Sequence, residues 1–347
     1  MSRICLALAL AGICAVAPPA EARAPKRPQR SRAHAHPRPK VAGKPRPAPL
    51  DPAAVNDPGL TAPVGPGSSG AAVLRAQVLL ARAHFSCGEI DARYGSNLRK
   101  AIAAFQRSRS LPVTGSVDEA TWKALDADVS PALIEATIAP EDVAGPFAPI
   151  PEEMEEKAKL PALAYSSPLE ALAEKYRASP ALLKELNPGA PFDQAGQPLR
   201  VPNVLLPPPG KAARVVVSRS DRSVEAQDAE GRTLAYYPAT IGSDHDPLPV
   251  GRWKIRGVSR NPEFHYNPDL FWDAKGGEGK ARIAPGPNNP VGVAWIDLSR
   301  RHYGIHGTPE PSRVGKSESH GCIRLTNWDV WELQQMVSPG TPALLEE

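Results

Sequence analysis

Proline is the residue that most constrains how this chain can fold. The 347 residues include 41 prolines, and each one fixes a backbone angle and removes a hydrogen-bond donor. Such a composition favours several small folded units joined by stiff linkers over one large core. The length allows two or three domains. We expect the largest core near the C-terminus, because five of the six tryptophans lie beyond residue 250.

The first 22 residues have the pattern of a cleavable secretory signal. Arg3 precedes an apolar run from Ile4 to Val16, and Ala20-Glu21-Ala22 has the form of a cleavage site. The run is too short for a good membrane span, although a retained anchor is the alternative. We therefore expect an exported protein of the periplasm or cell wall.

Cleavage would remove two of the four cysteines and leave Cys87 and Cys322. A disulfide between these two is one reading, because exported proteins often use cysteines as cross-links. The other reading makes Cys87 a small buried residue and Cys322 a reactive thiol.

Residues 23–47 contain nine Lys or Arg residues, no acidic residue and many prolines. A segment of this kind cannot bury a core, so residues 23–67 are predicted to be a disordered tether. In an exported protein its partner would be an anionic envelope polymer or lipid headgroup, and no nucleic acid is expected. A plain solubilising spacer is an equally open alternative.

Residues 68–128 carry helical periodicity. The predicted apolar stripes contain Val73, Leu74, Leu80, Leu98, Ile102 and Phe105, and a third short helix covers 118–125. With the Gly88-Glu89-Ile90-Asp91 turn, Phe105-Gln106 and Thr121-Trp122, the segment resembles the three-helix peptidoglycan-binding module. The resemblance implies contact with peptidoglycan glycan strands; a generic helical bundle is the alternative.

The next segment, 129–160, is rich in proline and glutamate and is predicted to be a linker. Residues 161–204 predict two short helices, closed by a strand-like Leu199–Pro202. This stretch resembles a LysM module, a small α/β glycan-binding unit, with its usual first strand degraded to Tyr165-Ser166-Ser167. A LysM-derived spacer that no longer binds sugar is the alternative.

From residue 211 to 346 the periodicity changes to that of strands. One helix, Trp328–Val337, has a capping box at Thr326 and Asp329, and the long insertion Asn261–Pro290 is predicted to be irregular. The predicted strands are Val215–Ser218, Thr233–Ile241, Val250–Val258, Val293–Leu298, Tyr303–His306 and Pro342–Leu345. This domain is therefore predicted to be mainly β.

The strongest chemical signal is the run Ser319-His320-Gly321-Cys322-Ile323-Arg324. Gly321 would let the backbone turn and expose a Cys322 nucleophile, and the N–H groups of both residues are candidate oxyanion donors. Arg324 could pair with a substrate carboxylate.

A thiol nucleophile needs a base, and His306 is the candidate. It stands at the end of a predicted strand and could lower the thiol pKa, while the Gly307 carbonyl could orient its ring. His320 is expected to shape the loop. A zinc site formed by His306, His320 and Cys322 is the competing reading.

These residues resemble the signature of the L,D-transpeptidases, together with Ala239–Gly242, Pro249–Trp253 and Pro285–Pro290. The resemblance implies that Cys322 is the nucleophile and His306 the proton donor and acceptor, with Ser319, His320, Gly321 and Arg324 in support and no cofactor or metal. The implied reaction cross-links peptidoglycan stem peptides through an amine acceptor, either a second stem peptide or a protein lysine. A hydrolase on the same site and an inactive wall-binding protein are the alternatives.

Overall fold

The structure, a computed structural model, describes residues 50–347 except 273, 275, 276 and 278. The predicted signal and the basic stretch 23–47 lie outside the described residues. Within the described part, no helix is long and apolar enough to cross a membrane.

The N-terminal part is helical. Its helices are α1 (Pro52–Val55), α2 (Ala71–Arg82), α3 (Ser96–Ser108) and α4 (Glu119–Leu125). Asp118 caps α4, since its side chain accepts from the Thr121 N–H at 2.8 Å. The buried Gln106 amide donates to Thr121 Oγ1 at 2.9 Å and accepts from the Gly115 N–H at 3.0 Å. Gln106 therefore ties α3 to both the following turn and α4.

Part of the predicted tether belongs to this helical unit. Val55 and Val64 are fully buried, Val64 exchanges backbone hydrogen bonds with Val117 at 2.8 and 3.0 Å, and the Trp122 indole donates to the Ala62 carbonyl at 3.0 Å. The tether prediction is thus wrong for residues 50–67. Burial of a few apolar side chains outweighs the Pro/Gly composition that predicted disorder.

Residues 133–202, which run from the predicted linker into the segment resembling LysM (161–204), contain a two-stranded sheet and three helices. They are β1 (Leu133–Thr137), α5 (Met154–Lys157), α6 (Pro168–Lys175), α7 (Pro180–Leu186) and β2 (Pro198–Pro202). β1 and β2 pair antiparallel over five residues. The strand that pairs with β2 therefore lies at 133–137, inside the predicted linker. Its partner stands some sixty residues downstream, so the local sequence could not indicate the pairing.

The helical unit and the region resembling LysM share one hydrophobic core. The Ile90 N–H donates to the Arg177 carbonyl, and the Ser179 N–H donates to the Ile90 carbonyl, both at 2.9 Å. These two regions therefore form one unit and are not separate modules joined by a stiff linker. Several prolines instead begin helices, as in α1, α6 and α7, where a missing N–H costs nothing.

The C-terminal domain is built on a nine-stranded sheet. Its elements are β3 (Arg214–Ser218), β4 (Ser223–Gln227), β5 (Thr233–Pro238), β6 (Thr240–Ile241), β7 (Gly251–Arg260), β10 (Ala294–Leu298), β11 (Gly304–His306), β12 (Ile323–Arg324), α8 (Asn327–Met336) and β13 (Pro342–Glu346). The order is β5-β4-β3-β13-β7-β10-β11-β12-β6. Because only Ala239 separates β5 from β6, the two edge strands approach each other and the sheet curls. α8 buries Val330, Leu333 and Met336 in the domain core.

The mainly β prediction is confirmed for this domain. Strands β4 and β12 had no clear sequence signal. The insertion predicted to be irregular contains a short hairpin, β8 (Phe264–Tyr266) and β9 (Ala281–Ile283). Thr326 caps α8 by accepting from the Asp329 N–H at 3.2 Å.

Helix α8 is also where the N-terminal regions contact this domain. Ser86 donates to Asp329 at 3.0 Å, and Arg177 donates to Glu332 at 3.1 Å. Both carboxylates are buried, so the three regions meet in a buried polar network.

Candidate active site

Cys322 stands in a turn that is held at both ends. Gly321 has φ +95°, and a Cβ at that position would lie 3.0 Å from the Tyr303 ring, so only glycine fits there. The Ser319 hydroxyl donates to the Cys322 carbonyl at 2.6 Å, and the Ser319 N–H donates to the Gly242 carbonyl at 3.1 Å. Ser319 therefore fixes the backbone that presents the thiol.

His306 is brought beside this turn by strand pairing. β11 and β12 are parallel, with His306 opposite Arg324 and Ile305 opposite Ile323. The His306 Nδ1 lies 2.7 Å from the Gly307 carbonyl oxygen. A ring that donates from Nδ1 keeps Nε2 as its basic nitrogen.

The His306 ring is buried against Trp295. The two rings stack, with centroids 5.3 Å apart and planes inclined by 15°, and His306 is only 4% exposed. This stacking, together with the Gly307 contact, leaves the imidazole little rotational freedom.

The charge state of the pair differs from the sequence-based expectation. Burial, reinforced by the Arg324 charge, lowers the pKa of His306 to about 3. Burial also raises the pKa of the Cys322 thiol, although Arg324 opposes that change. Both shifts favour a neutral thiol and a neutral imidazole at rest, opposite to the lowered thiol pKa expected from the sequence. Proton transfer to His306 would accompany attack by sulfur.

Both residues line a cavity of about 640 Å³, which also contains His320 and Arg324. His320 packs its ring edge-on against Phe271 at 5.0 Å and lies 5.7 Å from Trp272. It therefore faces the insertion. Arg324 is half-buried in the wall of the same cavity.

Sequence reasoning missed one wall of this cavity. Glu152, Glu153 and Met154 line it, although they belong to the predicted linker. The Gly279 N–H donates to Glu155 at 3.0 Å and so ties this segment to the insertion. The only sequence signal in this stretch was its acidic composition, which is equally typical of an exposed linker.

Gly307 lies between His306, whose ring contacts its carbonyl oxygen, and the buried side chain of Asn327. Asn327 Oδ1 lies so near Gly307 that a Cβ at position 307 would be 2.2 Å from that oxygen.

The predicted oxyanion donors are the Gly321 and Cys322 N–H groups. Among the described turns and loops, neither donates a backbone hydrogen bond.

The two cysteines of the described residues are both free, so the alternative of a Cys87–Cys322 bridge is wrong. Cys87 is 4% exposed, and burial strongly raises its pKa, which makes it an unreactive thiol. No group of three His, Cys, Asp or Glu side chains within the described part of the chain could hold a metal ion.

Two segments of the chain match models of known protein families. Residues 212–345 match a family model described as an L,D-transpeptidase catalytic domain, and residues 69–125 match a peptidoglycan binding domain. A Bacillus licheniformis protein named as an L,D-transpeptidase, YkuD, is 33% identical over 175 residues, which cover 50% of this chain and 90% of that protein.

Two further similarities extend the comparison. The Escherichia coli protein named L,D-transpeptidase ErfK/SrfK is 31% identical over 183 residues, covering 51% of this chain and 58% of that protein. A crystal structure of an L,D-transpeptidase from Xylanimonas cellulosilytica covers 80% of this chain and 95% of that one, at 18% identity and a TM-score of 0.32.

Proposed function

This chain belongs to the L,D-transpeptidase family, and on that premise we propose that it transfers acyl groups between peptidoglycan stem peptides through Cys322. The family makes it an enzyme of cell-wall cross-linking that also carries a peptidoglycan-binding domain. The observation that supports the residue assignment is the parallel pairing of β11 and β12. His306 ends β11, Cys322 immediately precedes β12, and both side chains line one cavity.

In the proposed first half-reaction, Cys322 sulfur attacks the carbonyl that follows the L-centre of diaminopimelate in a tetrapeptide stem. The neutral His306 Nε2 takes the thiol proton as the S–C bond forms. The Gly321 and Cys322 N–H groups stabilise the oxyanion. Collapse breaks the amide bond, and His306 returns the proton to the departing D-Ala amine.

In the second half-reaction, an amine attacks the thioester. His306 takes a proton from the attacking nitrogen and delivers it to the departing sulfur, so a new amide forms and the thiol is restored. The acceptor is a second stem peptide or the lysine of an envelope protein. Arg324 is proposed to bind a substrate carboxylate.

The proposed location is the periplasm or cell wall, reached through the secretory signal of residues 1–22. The basic stretch 23–47 is proposed to contact anionic envelope surfaces. The peptidoglycan-binding domain would keep the enzyme on its insoluble substrate, where effective concentration replaces high affinity.

The test uses purified muropeptides incubated with and without an acceptor amine. We expect cross-linked product and free D-Ala with the wild type, and neither with Cys322→Ala. Cys87→Ala is the matched control, because it removes the only other described thiol and should leave the product unchanged. Hydrolysed stems alone would instead favour an L,D-carboxypeptidase or endopeptidase.

A second readout is the mass of the intact protein after exposure to a carbapenem. One adduct is expected on the wild type and on Cys87→Ala, and none on Cys322→Ala. Unchanged wall chemistry in Cys322→Ala would support an inactive wall-binding protein.

A further inference from the structure

The region resembling LysM contacts the catalytic domain through a continuous polar strip. The Leu163 N–H donates to the Pro285 carbonyl, and Asn288 donates its N–H to the Leu163 carbonyl, both at 2.9 Å. The Asn288 side chain also donates to Ala164 O and to Glu170, each at 2.9 Å. A Cβ on Gly286 would lie 2.1 Å from the Leu163 carbonyl oxygen. The contact is thus close and specific, unlike that of a tethered module.

At the end of this strip lies Asn327, which is 1% exposed. Its amide nitrogen donates to Glu174 and to the Pro287 carbonyl, both at 3.0 Å, and its oxygen accepts from the Val293 N–H at 3.3 Å. Both ends of the amide are therefore used, and the side chain has one satisfied orientation.

The Asn327 oxygen also packs against the loop that carries the base. A Cβ on Gly307 would meet it at 2.2 Å. The Gly307 carbonyl is the oxygen that accepts from His306 Nδ1 at 2.7 Å. A shift of the Asn327 amide would therefore move the group that holds the imidazole.

Glu174 is the charged member of this chain of contacts. It lies on α6 and accepts from the Tyr165 hydroxyl at 2.8 Å as well as from Asn327. It accepts from the NH₂ end of the Asn327 amide, as a carboxylate must, and so supports the orientation that the Pro287 carbonyl and the Val293 N–H also favour. Loss of this acceptor would weaken the hold on the amide and leave its oxygen less firmly placed against Gly307.

We infer that the region resembling LysM is a working part of the catalytic site, in which Glu174 is a positioning residue that holds His306 through Asn327 and Gly307. The inference rests on the proposed function. It assigns α6 a role in positioning the catalytic base.

The ionisation of Glu174 offers a specific readout. Burial, with a smaller contribution from Glu170, raises its pKa to about 7. The other ionisable side chains around it are Tyr165 in its own segment and Lys175, Arg177 and Glu332 in the adjoining cleft. An ionised Glu174 holds the Asn327 NH₂ more strongly than a neutral one, so acylation should become faster as the pH rises through about 7.

The experiment measures carbapenem acylation of Cys322 in the full chain from pH 5.5 to 8.5. At each pH the acylation rate is measured against carbapenem concentration, which gives both the rate at saturating carbapenem and the carbapenem concentration at half that rate. Glu174→Ala should lower the saturated rate on the order of tenfold, since small misplacements of catalytic groups have effects of this size or larger. The half-rate concentration should stay unchanged.

Glu174→Gln keeps an acceptor for Asn327 and removes the titration. It should react within about twofold of the wild type at pH 6 and lose the rate increase near pH 7, which would separate positioning from mere packing. Asp329, whose pKa burial also raises to about 7, is unchanged in this variant, so the difference isolates Glu174. Glu185→Ala, on an exposed position of α7, is the matched control and should match the wild type.

Three results would overturn the inference. They are a folded Glu174→Ala with the wild-type rate, a Glu174→Gln that keeps the rate increase near pH 7, and a loss in binding alone. If Glu174→Ala does not fold, the pH dependence of the acylation rate in Glu174→Gln tests the inference on its own. Absence of any adduct on wild-type Cys322 would instead contradict the proposed function.

Discussion

At the residue scale, Arg324 acts on both members of the candidate catalytic pair. Burial raises the pKa of the Cys322 thiol and lowers that of His306; the positive charge of Arg324 opposes the first change and adds to the second. If Arg324 binds a substrate carboxylate, as proposed above, the anion would offset its charge, and His306 would become more basic when it has to accept a proton. The same side chain would thus serve recognition and activation.

The charge of Arg324 can be tested with a simple alkylating reagent. Arg324→Gln should raise the pKa of Cys322 and slow its reaction with iodoacetamide at pH 8 by roughly three- to tenfold, because one pKa unit is a tenfold change in thiolate. Intact mass against time, from pH 6 to 10, measures this rate. In the wild type the rate should still rise above pH 8.5, the ordinary thiol value.

Arg313→Gln is the control, because Arg313 is an exposed arginine paired with Glu310 and should leave the rate unchanged. A faster reaction in Arg324→Gln would mean that desolvation by the guanidinium outweighs its charge.

At the element scale, the pairing of β10 with β11 builds the surface on which His306 rests. Trp295 stands opposite His306 and Asp297 opposite Gly304. The Trp295 ring extends over Gly304, where a Cβ would lie 2.5 Å from it. Gly304 is therefore a packing requirement for the ring that stacks on His306.

Gly304→Ala should displace Trp295 and lower the free energy of unfolding by about 1–3 kcal/mol, the usual cost of overpacking. The carbapenem acylation rate should fall with it, since the His306 ring loses its support. Urea unfolding and the acylation rate measure the two effects.

Gly257→Ala is the matched strand control, because a Cβ in that part of β7 meets no atom within 4 Å. Its stability should stay within about 0.5 kcal/mol of the wild type. Equal stability of the two variants would show that Trp295 moves aside without cost.

Elements that carry their own periodicity were predictable from sequence, and elements that depend on distant pairing were not. Helix α8 follows from its cap and apolar spacing, and β11 from the residues that lead to His306. Strand β1 and the wall formed by Glu152–Met154 depend on partners far along the chain. The composition of that stretch indicated only exposure. For the same reason the role inferred for Glu174 had no sequence signal.

At the scale of the whole molecule, the described regions form one body centred on α8. Arg177 and Ser86 from the two N-terminal regions hold the α8 carboxylates of Glu332 and Asp329. Glu332 also accepts from the Tyr237 hydroxyl at 3.0 Å and lies 3.3 Å from His84. Burial of such carboxylates is unfavourable unless partners stay in place. We therefore expect the catalytic domain to depend on its N-terminal regions for stability.

This dependence predicts one cooperative unfolding transition. Far-UV circular dichroism reports mainly the helices of the N-terminal regions, whereas tryptophan fluorescence reports mainly the catalytic domain, because five of the six tryptophans lie beyond residue 250. In urea the two midpoints should coincide.

Arg177→Met removes the charge that pairs with Glu332 and should lower both midpoints together, at a cost of about 3 kcal/mol. Lys184→Met, on an exposed position of α7, should move neither. A fluorescence midpoint that stays at the wild-type value in Arg177→Met, while the dichroism midpoint falls, would mean that the catalytic domain is stable without its N-terminal regions.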